Sequence, residues 1–293
     1  MELSASIFKA YDIRGVIDKT LDPSIAQLIG QSFGSAIREL GESVCVVGRD
    51  GRLSGPSLME GLTAGLLSVG VDVIDLGVVA TPMVYFGTHM AIHGQLPKSG
   101  IMITGSHNPP DYNGFKMVLG GAAIYGDQIQ GLRQRIVEQS FSQGQGKRST
   151  FDIFPAYLER IVGDVRLKRP MKIAVDCGNG VGGAFAGKLF RALGCEVEEL
   201  FCEVDGNFPN HHPDPAHVEN LQDLIKNLQH SDNELGFAFD GDADRLGVVT
   251  KDGQVIFPDR QMMLFAKDVL SRNPGAEIIY DVKCTRNLAT FVK

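Results

Sequence analysis

The sequence has no apolar run approaching the length of a membrane span, and its opening stretch, MELSASIFKAYDIRG, holds no hydrophobic segment of the kind a secretory signal carries. A soluble, cytoplasmic protein is the expectation. Cysteine is scarce: Cys45, Cys177, Cys195, Cys202 and Cys284 are odd in number and form no CxxC pair. Buried reduced thiols are therefore expected rather than a disulfide framework. An excess of positive charge is also missing. With 35 acidic against 28 basic residues the formal charge is -7, which argues against a non-specific nucleic-acid binder. An anionic small substrate stays open, because the local field inside a cleft decides its binding.

The composition that is present, 43% hydrophobic and 22% charged over 293 residues, is that of an ordinary globular chain of about two domains. One pattern recurs along it. VCVVGRD (44–50) is an apolar run that breaks into a Gly/Asp/Arg loop. Residues 54–70 follow with helical spacing, with Ser54 or Ser57 as a candidate cap, and VDVIDLG reads as the next strand. KIAVDCGNG (172–180), a helix through 184–194 and the strand CEVEELF repeat the pattern. AEIIYDVKCTRNL (276–288) starts it again as strand, polar loop and helix. The fold class expected is α/β: tandem related α/β domains, each a mixed, mostly parallel sheet with flanking helices. The polar, glycine-rich SQGQGKRST (142–150) reads as a linker and the KDG turn (251–253) as the start of a third unit. These give domains 1–150, 151–252 and 253–293.

Four segments carry candidate chemistry. GNGVGG (178–183) has the spacing of a dinucleotide fingerprint, but Asp176 ends the preceding strand where a pyrophosphate would meet negative charge. A tight strand–helix turn that requires glycine is the preferred reading. DGDADR (240–245) puts carboxylates at Asp240, Asp242 and Asp244 between two apolar runs. Three such groups repel unless a cation neutralises them, and an all-oxygen set selects a hard ion such as Mg2+ or Ca2+. An EF-hand is excluded, because Arg245 stands at its invariant glycine and Lys251 at its bidentate glutamate. In SGIMITGSHNPPDYNGFKMV (99–118), Ser106 follows an apolar run on a loop at a strand's carboxyl end, where ligands sit in open α/β sheets. Its hydroxyl is a weak nucleophile that needs a base, a metal or a preloaded group. His107 is adjacent, but neighbours on an extended chain point apart, so a Ser–His dyad is not expected. FKAYDIRG (8–15) sets Lys9, Asp12 and Arg14 among apolar residues and by itself reads as an edge strand.

Taken together, FKAYDIRG, GRDGRLSG, TGSHNPPDYNGFK, VDCGNGVGG, DGNFPNHHPDP, DGDADR and DVKCTR closely resemble the α-D-phosphohexomutase family, in its bacterial phosphomannomutase/phosphoglucomutase branch. The resemblance implies a phosphoserine at Ser106, and Mg2+ held by that phosphate with Asp240, Asp242 and Asp244. It implies transfer between serine and a mannose or glucose phosphate through a hexose 1,6-bisphosphate, which also serves as activator. Arg14, Lys116 and Arg245 are the implied active-site cations, and His107 or Lys116 the general acid/base. Lys9, Tyr11, Arg14, Lys283 and Arg286 are the implied substrate-binding residues. Hexose phosphates are the partners implied, with neither nucleic acid nor membrane. The family has four domains around one cleft, with a sugar-recognition loop late in the third and a phosphate clamp in the fourth. On that pattern residues 253–293 begin domain 3, both elements are absent, and this chain alone is expected to be inactive or weakly active. A phosphoglucosamine mutase and a non-catalytic metal- or phosphate-binding fragment are the alternatives.

Overall fold

In the computed structural model, which describes residues 3–292, the first unit is built on a mixed sheet. Its strands are β1 (Ile13–Val16), β2 (Val44–Arg49), β3 (Asp72–Val78), β4 (Ser99–Ile103), β5 (Tyr112–Leu119), β6 (Ala122–Ala123) and β7 (Arg148–Thr150). The order is β1-β5-β4-β2-β3-β7, with β6 on β5. The β4-β2-β3-β7 half is parallel, while β5 runs antiparallel to β1, β4 and β6. The helices are α1 (Pro23–Glu39), α2 (Gly55–Ser68), α3 (Thr81–Gly87) and α4 (Asp127–Glu138).

α1 shows why these residues fold locally as they do. The Asp22 side chain accepts the Ile25 N–H and Pro23 opens the first turn. Ile25, Ala26, Ile29, Phe33 and Ile37 then fall on one buried face at helical spacing. α2 behaves differently at its start. Ser54 stands at the cap position, but its hydroxyl accepts from Asn113 Nδ2 at 2.9 Å, and Ser57 donates to the Ser54 carbonyl. Neither serine caps through its side chain.

The second unit comprises β8 (Lys172–Asp176), β9 (Glu196–Leu200), β10 (Leu235–Phe239), β11 (Leu246–Thr250) and β12 (Val255–Ile256), in the order β12-β11-β10-β8-β9. The β10-β8-β9 pairings are parallel, and the β10-β11-β12 pairings antiparallel. Its helices are α5 (Phe154–Asp164), α6 (Ala186–Ala192) and α7 (Gln222–His230), followed by α8 (Pro258–Arg272) and α9 (Arg286–Phe291).

Three expectations are corrected. Residues 142–150 are no free linker: Gly144, Gly146 and Lys147 donate to Ser68, Leu67 and Asp72, and Arg148–Thr150 add β7 to the first sheet. The KDG turn joins β11 to β12 in one hairpin, so the second sheet runs on to Ile256. IIYDV forms no strand. Ile279 and Val282 are exposed, and among the described residues the segment joins no ladder, so its backbone polar groups are left to water. The two units share an apolar cluster in which Val46, Ile74 and Val79 meet Ile153, Val181, Phe154 and Tyr157. Beside that seam the β4–β5 loop of one unit meets the β10–β11 loop of the other.

Candidate active site

Ser106 sits just past β4 with φ of 51°, in the left-handed region. A non-glycine residue there is held by its surroundings. The Ser106 N–H donates to Thr104 Oγ1 at 2.7 Å, and that hydroxyl donates to Asp50 Oδ2 at 2.8 Å. The Gly105 carbonyl receives the Asn108 N–H, the Asn108 side-chain amide and, at 3.4 Å, the Arg14 guanidinium. The left-handed backbone also overturns the expectation for His107. The residue pair is not extended, and His107 Nδ1 lies 3.3 Å from Ser106 Oγ.

The β10–β11 loop brings the aspartates to the same point. Ser106 Oγ donates to Asp240 Oδ2 at 3.0 Å, and Asp240 Oδ1 accepts the N–H groups of Asp244 and Arg245. Asp242 is fixed by Thr81, whose hydroxyl lies 2.5 Å from Oδ2 and whose N–H donates to the Asp242 carbonyl. Lys116, from β5, places its ammonium 2.6 Å from Asp242 and 2.5 Å from Asp244. One oxygen from each of the three carboxylates lies within 4.8 Å of the others.

Charge at the site follows from this crowding. Burial, and then the charges of Asp242 and Asp244, push Asp240 up to about 8. Burial also works against the Asp242 carboxylate, but Lys116 and the Thr81 hydroxyl bring it below the usual range. For Lys116 burial opposes the charge, and Asp242 with Asp244 outweighs it and raises the pKa. Burial, followed by Arg245, holds His107 below the ordinary histidine value.

A cation fits this cluster on two counts. Among the described residues Asp242 Oδ1 is buried with no hydrogen-bond partner, a costly condition that a bound ion would relieve. The space between Asp242 and Asp244 is one that already attracts a positive group, the Lys116 ammonium. The all-oxygen donor set would suit a hard metal ion.

Of the other sequence-predicted residues, Arg14 pairs with Asp12 and reaches the serine loop, and Arg245 follows the triad with its side chain exposed. Lys9 and Tyr11 are exposed nearby in sequence. Lys283 pairs with Asp281, and Arg286 opens α9. Among the described residues, neither has a hydrogen bond or ion pair with the serine or aspartate loops. GNGVGG forms the tight turn expected, with positive φ at Gly178 and Asn179, and Asp176 bound to His211. A Cβ at Gly180 would press on the backbone of Gly241 in the aspartate loop, and a Cβ at Gly241 would strike the Ser106 carbonyl oxygen. Sequence reasoning missed Thr81, Asp50 and Arg52. A threonine at a helix start and an Asp/Arg pair in a glycine loop both resemble surface residues until their partners are known.

Two family models match the chain: phosphoglucomutase/phosphomannomutase alpha/beta/alpha domain I over residues 5–143, and domain II over residues 155–253. The chain is 58% identical over 293 residues to a phosphoglucomutase of Neisseria gonorrhoeae, covering 99% of this chain and 63% of that protein. It is 54% identical over 290 residues to a phosphomannomutase/phosphoglucomutase of Pseudomonas aeruginosa, covering 99% of this chain and 62% of the relative. A solved phosphoglucomutase/phosphomannomutase family protein from Burkholderia thailandensis superposes with a TM-score of 0.97 at 64% identity, covering 99% of this chain and 64% of that one. The chain thus spans somewhat less than two thirds of the length of these relatives.

Proposed function

The chain belongs to the phosphoglucomutase/phosphomannomutase family, and on that premise we propose that the protein interconverts hexose 1-phosphates and 6-phosphates of glucose and mannose through a phosphoserine at Ser106. The observation that carries the reading is the 3.0 Å approach of Ser106 Oγ to Asp240, which joins a hydroxyl nucleophile to a cation-binding cluster in one centre. In the phosphorylated enzyme the group on Ser106 passes to the free hydroxyl of a hexose monophosphate. The resulting 1,6-bisphosphate turns over and its other phosphoryl group returns to Ser106, so free hexose 1,6-bisphosphate serves as activator.

Asp240, Asp242 and Asp244, with the phosphate on Ser106, would hold Mg2+, which neutralises charge on the transferring group. Lys116 supplies positive charge beside the triad. The 3.3 Å approach of His107 Nδ1 to Ser106 Oγ supports His107, ahead of Lys116, as the group that moves a proton at that oxygen. Arg14, anchored at the Gly105 carbonyl, stands ready for a phosphate, with Lys9, Tyr11, Arg245, Lys283 and Arg286 as further contacts to the sugar phosphate. Five free thiols support a reducing, cytoplasmic location, and no helix among the described residues is long and apolar enough to cross a membrane.

The protein should convert glucose 1-phosphate and mannose 1-phosphate to their 6-phosphates with Mg2+ present. Ser106→Ala should abolish both conversions. Turnover that survives this substitution would disprove the phosphoserine route.

A further inference from the structure

Arg52 is the largest fully buried side chain of the molecule as described. Its guanidinium lies beneath the serine loop and gathers four of that loop's carbonyls. Nη2 donates to Ser106 at 2.9 Å and Asn108 at 2.6 Å, and Nη1 to Pro109 at 2.5 Å and Tyr112 at 2.9 Å. Nε lies 3.3 Å from Asp50 Oδ2, the same oxygen that accepts Thr104 Oγ1 and the Gly105 N–H. Gly105 rests on the guanidinium so closely that a Cβ there would fall on its central carbon. From the second unit, the Phe208 ring covers the group with its centroid 5.1 Å away.

A fork of donors that fixes four carbonyls fixes the peptide planes that carry them. In a trans peptide the carbonyl and the following N–H point in opposite directions. With the Ser106 carbonyl drawn down onto Arg52, the His107 N–H is turned away from it. Among the described residues that N–H has no partner. The left-handed φ of Ser106 belongs to the same constraint.

From these contacts we infer that Arg52 is a positioning residue for phosphoryl transfer. It holds the serine loop in the one backbone arrangement that aims Ser106 Oγ at the aspartate cluster and leaves the His107 N–H free for a phosphoryl oxygen. Arg52 touches neither substrate nor the reacting oxygen and acts through the loop. Lysine cannot replace it, because an ammonium is a point charge without the planar fork that spans four acceptors. The inference rests on the phosphoserine reading of Ser106, and its test separates the two.

Wild type, Arg52→Lys and Gly105→Ala are incubated with glucose 1,6-bisphosphate and Mg2+, and phosphoryl loading of Ser106 is followed by intact mass. Amide hydrogen exchange over residues 104–112 and thermal melting are measured alongside. Loading in both variants should slow by about a hundredfold, with the half-saturating bisphosphate concentration little changed. Exchange should quicken in 104–112 of Arg52→Lys while the rest of the chain keeps its protection. Loading at the wild-type rate in either folded variant overturns the inference. So does a loss of rate matched by equal loss of protection across both units, which marks a general structural role. Should Arg52→Lys fail to fold, Gly105→Ala decides by the same rate comparison. If wild type itself takes no phosphoryl group, the reading of Ser106 falls, and the exchange pattern alone decides whether Arg52 sets the loop.

Discussion

Thr81 holds Asp242 by both hydroxyl and peptide N–H, and among the described residues Oδ1 is buried and unpaired, so the carboxylate is already oriented for the proposed ion. Groups that orient a metal ligand typically matter by about 10–100-fold in affinity. Thr81→Val should therefore weaken Mg2+ binding by about 10–100-fold, read by calorimetric titration, and an unchanged affinity would remove Thr81 from the site. His211 gives a pH-dependent case away from the metal loop. Burial opposes its charge, but the hydrogen bond and charge of Asp176 outweigh burial and raise its pKa. A histidine raised on folding contributes stability that is fully present below its unfolded pKa, about 6.5. That contribution is lost as pH rises through the higher folded value. The gap in melting temperature between wild type and His211→Gln should accordingly be wider at pH 6 than at pH 9, and a gap that grows with pH would contradict the pairing. At this scale the aspartate triad was legible in DGDADR, because carboxylates at alternate positions converge in almost any loop. The Ser106–His107 approach was not, because side-chain direction depends on a left-handed φ that no residue type in the sequence announces.

Where an element's own residues determine it, the sequence was a good guide. β2, α2, β3 and the β8–α6–β9 succession fall where apolar periodicity puts them. Elements that depend on a partner escaped it. Arg148–Thr150 is polar and exposed, yet it becomes β7 because the edge of β3 is available to it. IIYDV has a strand's composition and no edge to join. Close helix packing is likewise written in small residues. Gly65 of α2 lies against the backbone of α1 at Gln27 and Gln31, and a Cβ there would strike the Gln27 carbonyl oxygen. Backbone cannot yield as a side chain can, so Gly65→Ala should cost roughly 1–3 kcal/mol of stability despite alanine's better helix propensity. Denaturant unfolding checks this, and a neutral or stabilising effect would show that the two helices have room to separate.

Across the whole molecule, the centre exists only because two units meet. Ser106 and Asp240 are 134 positions apart in the chain and 3.0 Å apart in space, and Lys116 from the first sheet ties Asp242 and Asp244 of the second unit to it. A phosphate on Ser106 would add about -1.5 to -2 charge to the aspartate cluster. Mg2+ affinity should therefore rise on phosphorylation, and equal affinities for the two forms would separate the serine from the metal site. In the proposed reaction this shared centre carries a phosphoryl group on one particular oxygen, Ser106 Oγ. The most direct measurement is peptide mass analysis after incubation with glucose 1,6-bisphosphate and Mg2+. A single phosphoryl group on Ser106, absent in Ser106→Ala and reduced in Asp240→Asn, is the expected result. A label on another residue, or one retained by Ser106→Ala, would contradict it.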